Sequence, residues 1–371
     1  MKIKFKDIGL LIFVAAGLFI AVFPLDAAGL RTRIYIVDSY HPEYLWSIET
    51  AAGVGKAFVD FQFLDNTRQA DEFNSRFYIE SSKAVIKKAW MDTKRKNSKL
   101  EIADATARIV NDIKIFDPDI ILLGDDNAAN YIGNNFMDRE MPVVFWGING
   151  LPLKYGLIDS LEHPGHNVTG IYQIGYTKEC LEYLAQLVPG IKTVGILADD
   201  SETSRAKVKS LQARAADGLL AVKLLDPGVT NSYAKWKEYA KKFAEEADAL
   251  VIYNHNTLKD DQGAAVEQMT AGAWYLKTIK KPECSDERQF SLEGMLLVVD
   301  DSGFKQGYEA IRYADDILRN NKPPAEMPIK APERGAVMAN RVRAEQLGIS
   351  LDPVTFVEEI VDKAMALESK P

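Results

Sequence analysis

Short uninterrupted apolar runs recur along the chain, each followed by a polar cluster and then by a segment with helical spacing. Asp119-Ile-Ile-Leu-Leu123 and Pro142-Val-Val-Phe-Trp146 show no alternation, the pattern of strands covered on both faces of a parallel sheet. Arg31–Val37, Arg76–Ile79, Thr193–Leu197, Leu220–Leu225, Ala249–Tyr253 and Met295–Val299 read as further strands. Helical spacing fills Ile48–Phe61, Lys83–Ile115, Thr177–Leu187, Arg205–Ala216, Tyr233–Glu246 and about Gln262–Ile279. Within the second of these, Ile102, Ala105, Ile109 and Ile113 share one face, and Asp117-Pro118 ends the segment. Strands and helices alternating in this way mean βαβ units and parallel sheets.

The alternation runs twice, and Gly165-His-Asn-Val-Thr-Gly-Ile-Tyr172 lies between the two halves. Gly165 and Gly170 give backbone freedom there, while Val168 and Ile171 are strand formers, which suits a crossing between lobes. The expected fold is α/β, with two doubly wound parallel-sheet lobes joined by a hinge. The lobes are placed at 29–166 and 167–300, with 301–371 supplying return crossings and terminal segments. Val337-Met-Ala-Asn340 reads as a short strand on the way back, and Leu347-Gly-Ile349 as the helix end that follows. A structure with one continuous sheet through both halves would refute this arrangement.

The first 28 residues differ from the rest. Lys2, Lys4 and Lys6 precede an apolar run from Ile8 to Phe23, and Pro24 and Ala27-Ala28 offer a small-residue exit. That is the layout of an export signal. The run falls slightly short of the ~20 residues of a membrane span, and both cleavage and retention as an anchor stay open. The expected location is periplasmic or otherwise extracytoplasmic.

At 371 residues with 47% hydrophobic and 26% charged residues, the chain has room for two folded domains. Its formal charge of -8 and lack of a basic, aromatic-interleaved stretch exclude a nucleic-acid footprint. Lys94-Arg-Lys96 reads as a solvated helix end or loop. Cys180 and Cys284 form neither a metal-binding spacing nor a disulfide framework, and whether they pair stays open. No cofactor or metal is expected. His41 or His255 beside Asp126 or Asp301 would be the acid–base pairs of an enzyme, but no nucleophile elbow, phosphate-cradling loop or His-x-x-x-His spacing accompanies them. No catalytic residue is assigned.

In doubly wound sheets ligands sit beyond the carboxyl ends of the strands. Here the strands end in turns rich in Asp, Asn, Ser, His and Gly, and two facing lobes would gather these turns around one cleft. Most such side chains serve as turn formers and helix caps. A ligand buried by closure needs its charges matched and its apolar part covered. Asp125, Asp126, Asp200, Asp300 and Asp301 suit an ammonium group, the helix start at Ser201-Glu-Thr-Ser204 suits a carboxylate, and Tyr40, Trp46 and Tyr172 suit the cover. Trp146 continues an apolar strand and is assigned to the core.

The crossing Asn167-Val-Thr-Gly-Ile171, the segment Asp300-Asp-Ser-Gly-Phe-Lys-Gln-Gly307 and the tail Asn340-Arg-Val-Arg-Ala-Glu-Gln-Leu-Gly-Ile349 resemble one branch of the periplasmic binding proteins. That branch is the substrate-binding subunits of ABC importers of the tryptophan/tyrosine-binding type, which have a type I periplasmic-binding fold. The resemblance covers nearly all of residues 31–355. Ser39-Tyr-His-Pro-Glu-Tyr-Leu-Trp46 is also similar to the opening of related extracytoplasmic sensor domains. The resemblance implies ligand loops at Ser39, Tyr40 and His41, at Asp125, Asp126 and Asn127, and at Gly147 and Asn149. It adds Tyr172 and Gln173 after the hinge, then Asp200, Ser201 and Ser204, then Asn254 and His255, and finally Asp300 and Asp301. It implies capture of a small polar, amine-bearing or amino-acid-like molecule. The partner is an ABC permease or, alternatively, a membrane sensor such as a histidine kinase or cyclase. The chain is expected to be a monomer.

Overall fold

In the computed structural model, which describes residues 31–149, 151–352 and 354–368, the apolar runs form two separate sheets. The expected export segment lies outside the described residues. The first sheet holds β1 (Thr32–Asp38), β2 (Tyr78–Glu80), β3 (Ala84–Trp90), β4 (Ile120–Gly124), β5 (Val143–Asn149) and β6 (Val168–Gln173), in the order β2-β3-β1-β4-β5-β6. All its pairings are parallel except β2 with β3. β4 and β5 are buried along their whole length because helices cover both faces. One layer is built by Phe58 of the Leu45–Asp60 helix with Ile311 and Ala314 of the Gly303–Asn320 helix. The other is built by Ile109, Val110 and Ile113 of the Lys99–Phe116 helix. A reciprocal Ser98–Glu101 capping box starts that last helix, and Asp117 in a left-handed conformation ends it before Pro118.

The second sheet is ordered β14-β13-β12-β11-β10-β7-β8, with β9 paired to β7. Its strands are β7 (Thr193–Ala198), β8 (Lys223–Leu224), β9 (Gly228–Val229), β10 (Ala249–Ile252), β11 (Glu283–Ser285), β12 (Leu297–Val299), β13 (Val337–Asn340) and β14 (Glu359–Val361). Leu184, Val208 and Leu211 pack on one face, and Trp236, Phe243, Tyr275 and Phe290 on the other. Cys180 and Cys284 are free, buried thiols in the first of these layers. β13 runs antiparallel to β12, so the tail closes the second lobe rather than extending its parallel order. Among the described residues no helix is long and apolar enough to cross a membrane.

Three crossings join the lobes: one after β6, one after β12, and one over residues 331–336 ahead of β13. They are tied together at Asp300 and Asp301. The Gly175 N–H donates to Asp301 Oδ2 (3.0 Å), and the Asp300 carbonyl accepts from the Gly335 N–H (2.7 Å). The Asp300 N–H in turn donates to the Ala336 carbonyl (3.0 Å). Asp301 is only 1% exposed, and burial, set against the pull of Lys207, moves its pKa from 3.8 up to about 7. A carboxyl raised in the folded state adds stability that is present below its unfolded pKa and is lost as pH rises through the folded value. Thermal stability should therefore fall between about pH 4 and pH 7, by about 1.4 kcal/mol for each tenfold difference in proton affinity between the folded and unfolded chain. Asp301→Asn, which keeps an acceptor for Gly175, should flatten that slope in melts recorded across this window; an unaltered slope would remove Asp301 from the account.

Several local readings change. Ala84–Trp90, read as the start of a long helix, is β3, in parallel register with β1 from Thr32↔Ala84 to Asp38↔Trp90. Its Ala and Lys content favours helix locally, and only burial of nearly every position against β1 makes it a strand. The crossing strand Val168–Gln173, placed at the start of the second lobe, is hydrogen-bonded to β5 of the first sheet, so the chain changes lobe after Gln173. The strand read over Leu220–Leu225 shrinks to Lys223–Leu224, and the helix read from Gln262 begins at Gln268.

Candidate functional site

The turns at the carboxyl ends of both sheets meet where the lobes face each other. A small cavity lies there, bordered from the first lobe by Tyr40, Tyr44, Trp46, Lys94, Asp125, Asn149 and Gln173. The second lobe contributes Thr203, Asn254 and Glu287. A roomier hollow between Phe77, Trp90 and Arg108 is lined by first-lobe residues alone, so closure of the lobes would not act on it.

The strand ends set each group. Ser39, directly after β1, donates its hydroxyl to the Gly124 carbonyl (2.7 Å) and accepts from the Ala128 N–H (2.8 Å), fastening the end of β1 to that of β4. Tyr40 then reaches across the junction to Thr203 Oγ1 (3.2 Å). The Tyr44 hydroxyl accepts from Asn256 Nδ2 (2.6 Å) and Gln289 Nε2 (3.0 Å), both of the second lobe. Trp46 Nε1 donates to Asp125 Oδ1 (2.7 Å).

Asp125 follows β4 with φ 69°, a left-handed conformation that non-glycine residues rarely hold and that often marks function. Gly147, at φ 74°, permits it: a Cβ at that position would lie 2.4 Å from Asp125 Oδ1. Burial raises the pKa of Asp125 well above the carboxylate range; the Trp46 hydrogen bond opposes this, and neighbouring Asp126 and Asp38 add to it. Asp126 turns away from the cavity. Its carboxylate accepts from Asn149 Nδ2 (2.8 Å), Lys154 Nζ (3.0 Å) and the Tyr155 hydroxyl (2.7 Å), and that hydroxyl also lies 2.6 Å from Glu202 across the junction.

Lys94 stands in the turn after β3, which Thr93 ties to the Ser39 carbonyl (2.9 Å). It is 3% exposed. Its ammonium sits 4.5 Å from the Tyr40 ring centre and 5.3 Å from that of Tyr44, and it makes no hydrogen bond or ion pair with the described residues. Burial lowers its pKa against the attraction of Asp199, Glu287 and Asp125. The nearby acids are already occupied. Lys207 holds Asp286 (2.7 Å) and Glu287 (2.5 Å), and Asp199 accepts from the N–H groups of Asn256 (2.9 Å) and Thr257 (3.0 Å). Burial works against ionisation of Asp199, yet Lys94 and these hydrogen bonds bring its pKa below normal. Asn149 Oδ1 and Gln173 Oε1 remain buried without a partner among the described residues. Such groups are rare in native proteins and call for an explanation.

Of the residues anticipated from the sequence, Tyr40, Asp125, Asn149, Gln173 and Asn254 border the cavity. Ser39, Asp126 and Gly147 support it from behind. His41 faces Asp92 (3.2 Å), and Asn127 donates to Thr93 Oγ1 (2.8 Å). Ser201 caps the Glu202–Ala216 helix, Ser204 donates to Asp199 (2.6 Å), and Asp200 pairs with Arg205 (2.8 Å) at the surface. Tyr172 packs against the first-lobe core. His255 is wholly enclosed in the second lobe, against Trp236 and Phe290, with Nε2 2.7 Å from Glu293. Asp300 and Asp301 belong to the crossings. The acid–base pairs considered for an enzyme do not form, since His41 and His255 each meet a different carboxylate. Trp46, read as an aromatic cover, borders the cavity as well, whereas Tyr44, Lys94, Thr203 and Glu287 were not among the anticipated site residues. Lys94 was hidden by the helical reading of its segment, and Glu287 follows β11, a strand too short and polar to be read. The Tyr-x-Trp spacing after the first strand was the available signal for Tyr44.

Residues 83–364 match the family described as ABC transporter substrate binding protein. This chain belongs to that family. A tyrosine-binding protein of Clostridioides difficile (strain R20291) is 22% identical over 224 residues, which is 59% of this chain. The chain spans 61% of the length of that curated relative. Among solved structures, an ABC domain in complex with L-Trp from Streptococcus pneumonia superposes with a TM-score of 0.70 at 17% identity, covering 89% of this chain and 100% of the other. A ligand-free, open substrate-binding protein with adhesive properties from Clostridium difficile gives 0.61 at 19% identity, over 90% and 100% of the two chains. This substrate-binding protein thus has the type I periplasmic-binding fold, with the junction of its lobes at the position where such folds enclose a crevice.

Proposed function

We propose that this protein captures a small zwitterionic organic molecule, amino-acid-like in its charged groups, between its lobes outside the cytoplasm and delivers it to an ABC permease. The observation that carries this reading is Lys94, a buried ammonium with no anionic partner of its own among the described residues, set against Asp125 in one cavity. An ion in such a place is costly unless it is paired, and a ligand carboxylate supplies the pair. The ligand's ammonium then falls to Asp125, with the unpartnered oxygens of Asn149 and Gln173 as further acceptors. The raised pKa of Asp125 fits this role, because an arriving cation lets it ionise. Groups from both lobes border the cavity, so binding favours closure, and the permease would read the closed form. Family membership and the relatives' names support import over sensing. The test is mass spectrometry of the solute released from purified native protein, followed by calorimetry with that solute. Recovery of a neutral sugar or a simple amine as the tight ligand would sink the reading.

A further inference from the structure

Tyr155 ties the lobes together at a point outside the cavity. It ends the short helical turn Pro152–Tyr155 of the first lobe. Its hydroxyl lies 2.7 Å from Asp126 Oδ1 in that lobe and 2.6 Å from Glu202 Oε1 in the second, at the start of the Glu202–Ala216 helix. Both distances are those of a hydrogen bond to a carboxyl group. A phenol carries one hydrogen, however, and two such contacts need two. Burial and the two carboxyl groups raise the pKa of Tyr155, so it keeps its hydrogen. Asp126 also accepts from Lys154 Nζ and Asn149 Nδ2, a setting that suits the ionised form, and the phenol's hydrogen goes there. Glu202 has no other hydrogen bond and no ion pair among the described residues. Arg205, on the same helix, is held by Asp200 (2.8 Å), and Lys207 by Asp286 and Glu287. The second hydrogen therefore comes from the Glu202 carboxyl.

From this we infer that Tyr155 is a positioning residue that latches the two lobes together, and that the latch forms with uptake of one proton from water onto Glu202. The inference rests on the closure of the lobes read above and on nothing about the ligand's charges. When the lobes part, Glu202 stands at the start of its helix, where the helix dipole favours the ionised side chain and releases the proton. An ionised Glu202 would meet the phenol oxygen with lone pairs on both sides and no hydrogen between them. Rising pH should therefore loosen the junction.

Small-angle X-ray scattering of the solute-free protein at about pH 5 and about pH 8 tests this without any ligand. The wild type should have the smaller radius of gyration at pH 5 and expand at pH 8. Glu202→Gln, whose amide supplies the second hydrogen at any pH, should lose most of that expansion and stay compact. Tyr155→Phe, with its fold checked by circular dichroism, should be less compact than the wild type at pH 5. Asp301 at the crossings titrates over the same range, but both variants leave it in place, so their departure from the wild type isolates the latch. A folded Tyr155→Phe protein as compact as the wild type at pH 5, or equal expansion of Glu202→Gln and the wild type, overturns the inference. Either result leaves solute capture standing, since capture is judged by whether a solute is recovered from the native protein. The comparison of Glu202→Gln with the wild type decides even if Tyr155→Phe does not fold.

Discussion

Lys94→Met loses its solute: calorimetry with the ligand recovered from the native protein is expected to show an affinity loss of about 2–5 kcal/mol, roughly 30-fold to several-thousand-fold. The size of the effect comes from where the charge sits. Lys94 is buried, lies over the Tyr40 and Tyr44 rings and has no ion pair among the described residues, so on the proposed reading its pairing energy is realised with the ligand. Removing it leaves a ligand carboxylate in a site closed to water with nothing to compensate it. Methionine fills nearly the same volume, so the fold should persist and the melting temperature should move much less than the affinity does. Unchanged affinity in a folded Lys94→Met protein would place the anionic group elsewhere. A surface lysine such as Lys241, treated identically, provides the contrast, since exposed charges contribute little.

Arg343→Met should produce the largest loss of stability. Arg343 is fully enclosed under β11, where Nε and Nη2 donate to the two oxygens of Glu283 at 2.9 and 2.8 Å. Other donors reach the carbonyls of Leu276 (3.2 Å) and Ile279 (2.9 Å), so one side chain fastens the tail to the helix and strand beneath it. Breaking a buried pair on one side leaves an uncompensated charge and costs about 3–5 kcal/mol. For a protein of this size that corresponds to a melting temperature lower by on the order of 10 °C. Adding Glu283→Leu to Arg343→Met should restore much of the loss, because the stranded carboxylate is then gone. Equal destabilisation of the single and double variants, measured by thermal and urea unfolding, would show that the carbonyl contacts and not the ion pair hold the tail.

How much of this was legible in the sequence follows from the range of the forces involved. β4, β5, β7 and β10 were readable because strands buried on both faces must be apolar at every position, and the Tyr233–Glu246 helix because its apolar face repeats at 3.6 residues. The two-lobe α/β plan and the placing of ligand turns at strand ends followed from that alternation alone. β3 was not readable, since Ala84-Val-Ile-Lys-Lys-Ala-Trp90 suits a helix by propensity and becomes a strand only where β1 offers it a partner along seven positions.

The chemistry of the cleft divides in the same way. Sequence alone placed acidic and aromatic residues after the strands, but it could not tell Asp125, which borders the cavity, from Asp126, which turns back onto Asn149, Lys154 and Tyr155. That choice is made by the left-handed backbone at Asp125, just after β4, and the missing Cβ of Gly147 in β5. Nor could it separate Lys94 from the solvated lysines around it, or withdraw His255 into the second-lobe core. Local pattern reports which side chains are apolar and where turns fall, because those depend on neighbours within a few residues. Which charge is buried, and whether it is paired, depends on groups brought together from opposite lobes, and only the tertiary structure decides that.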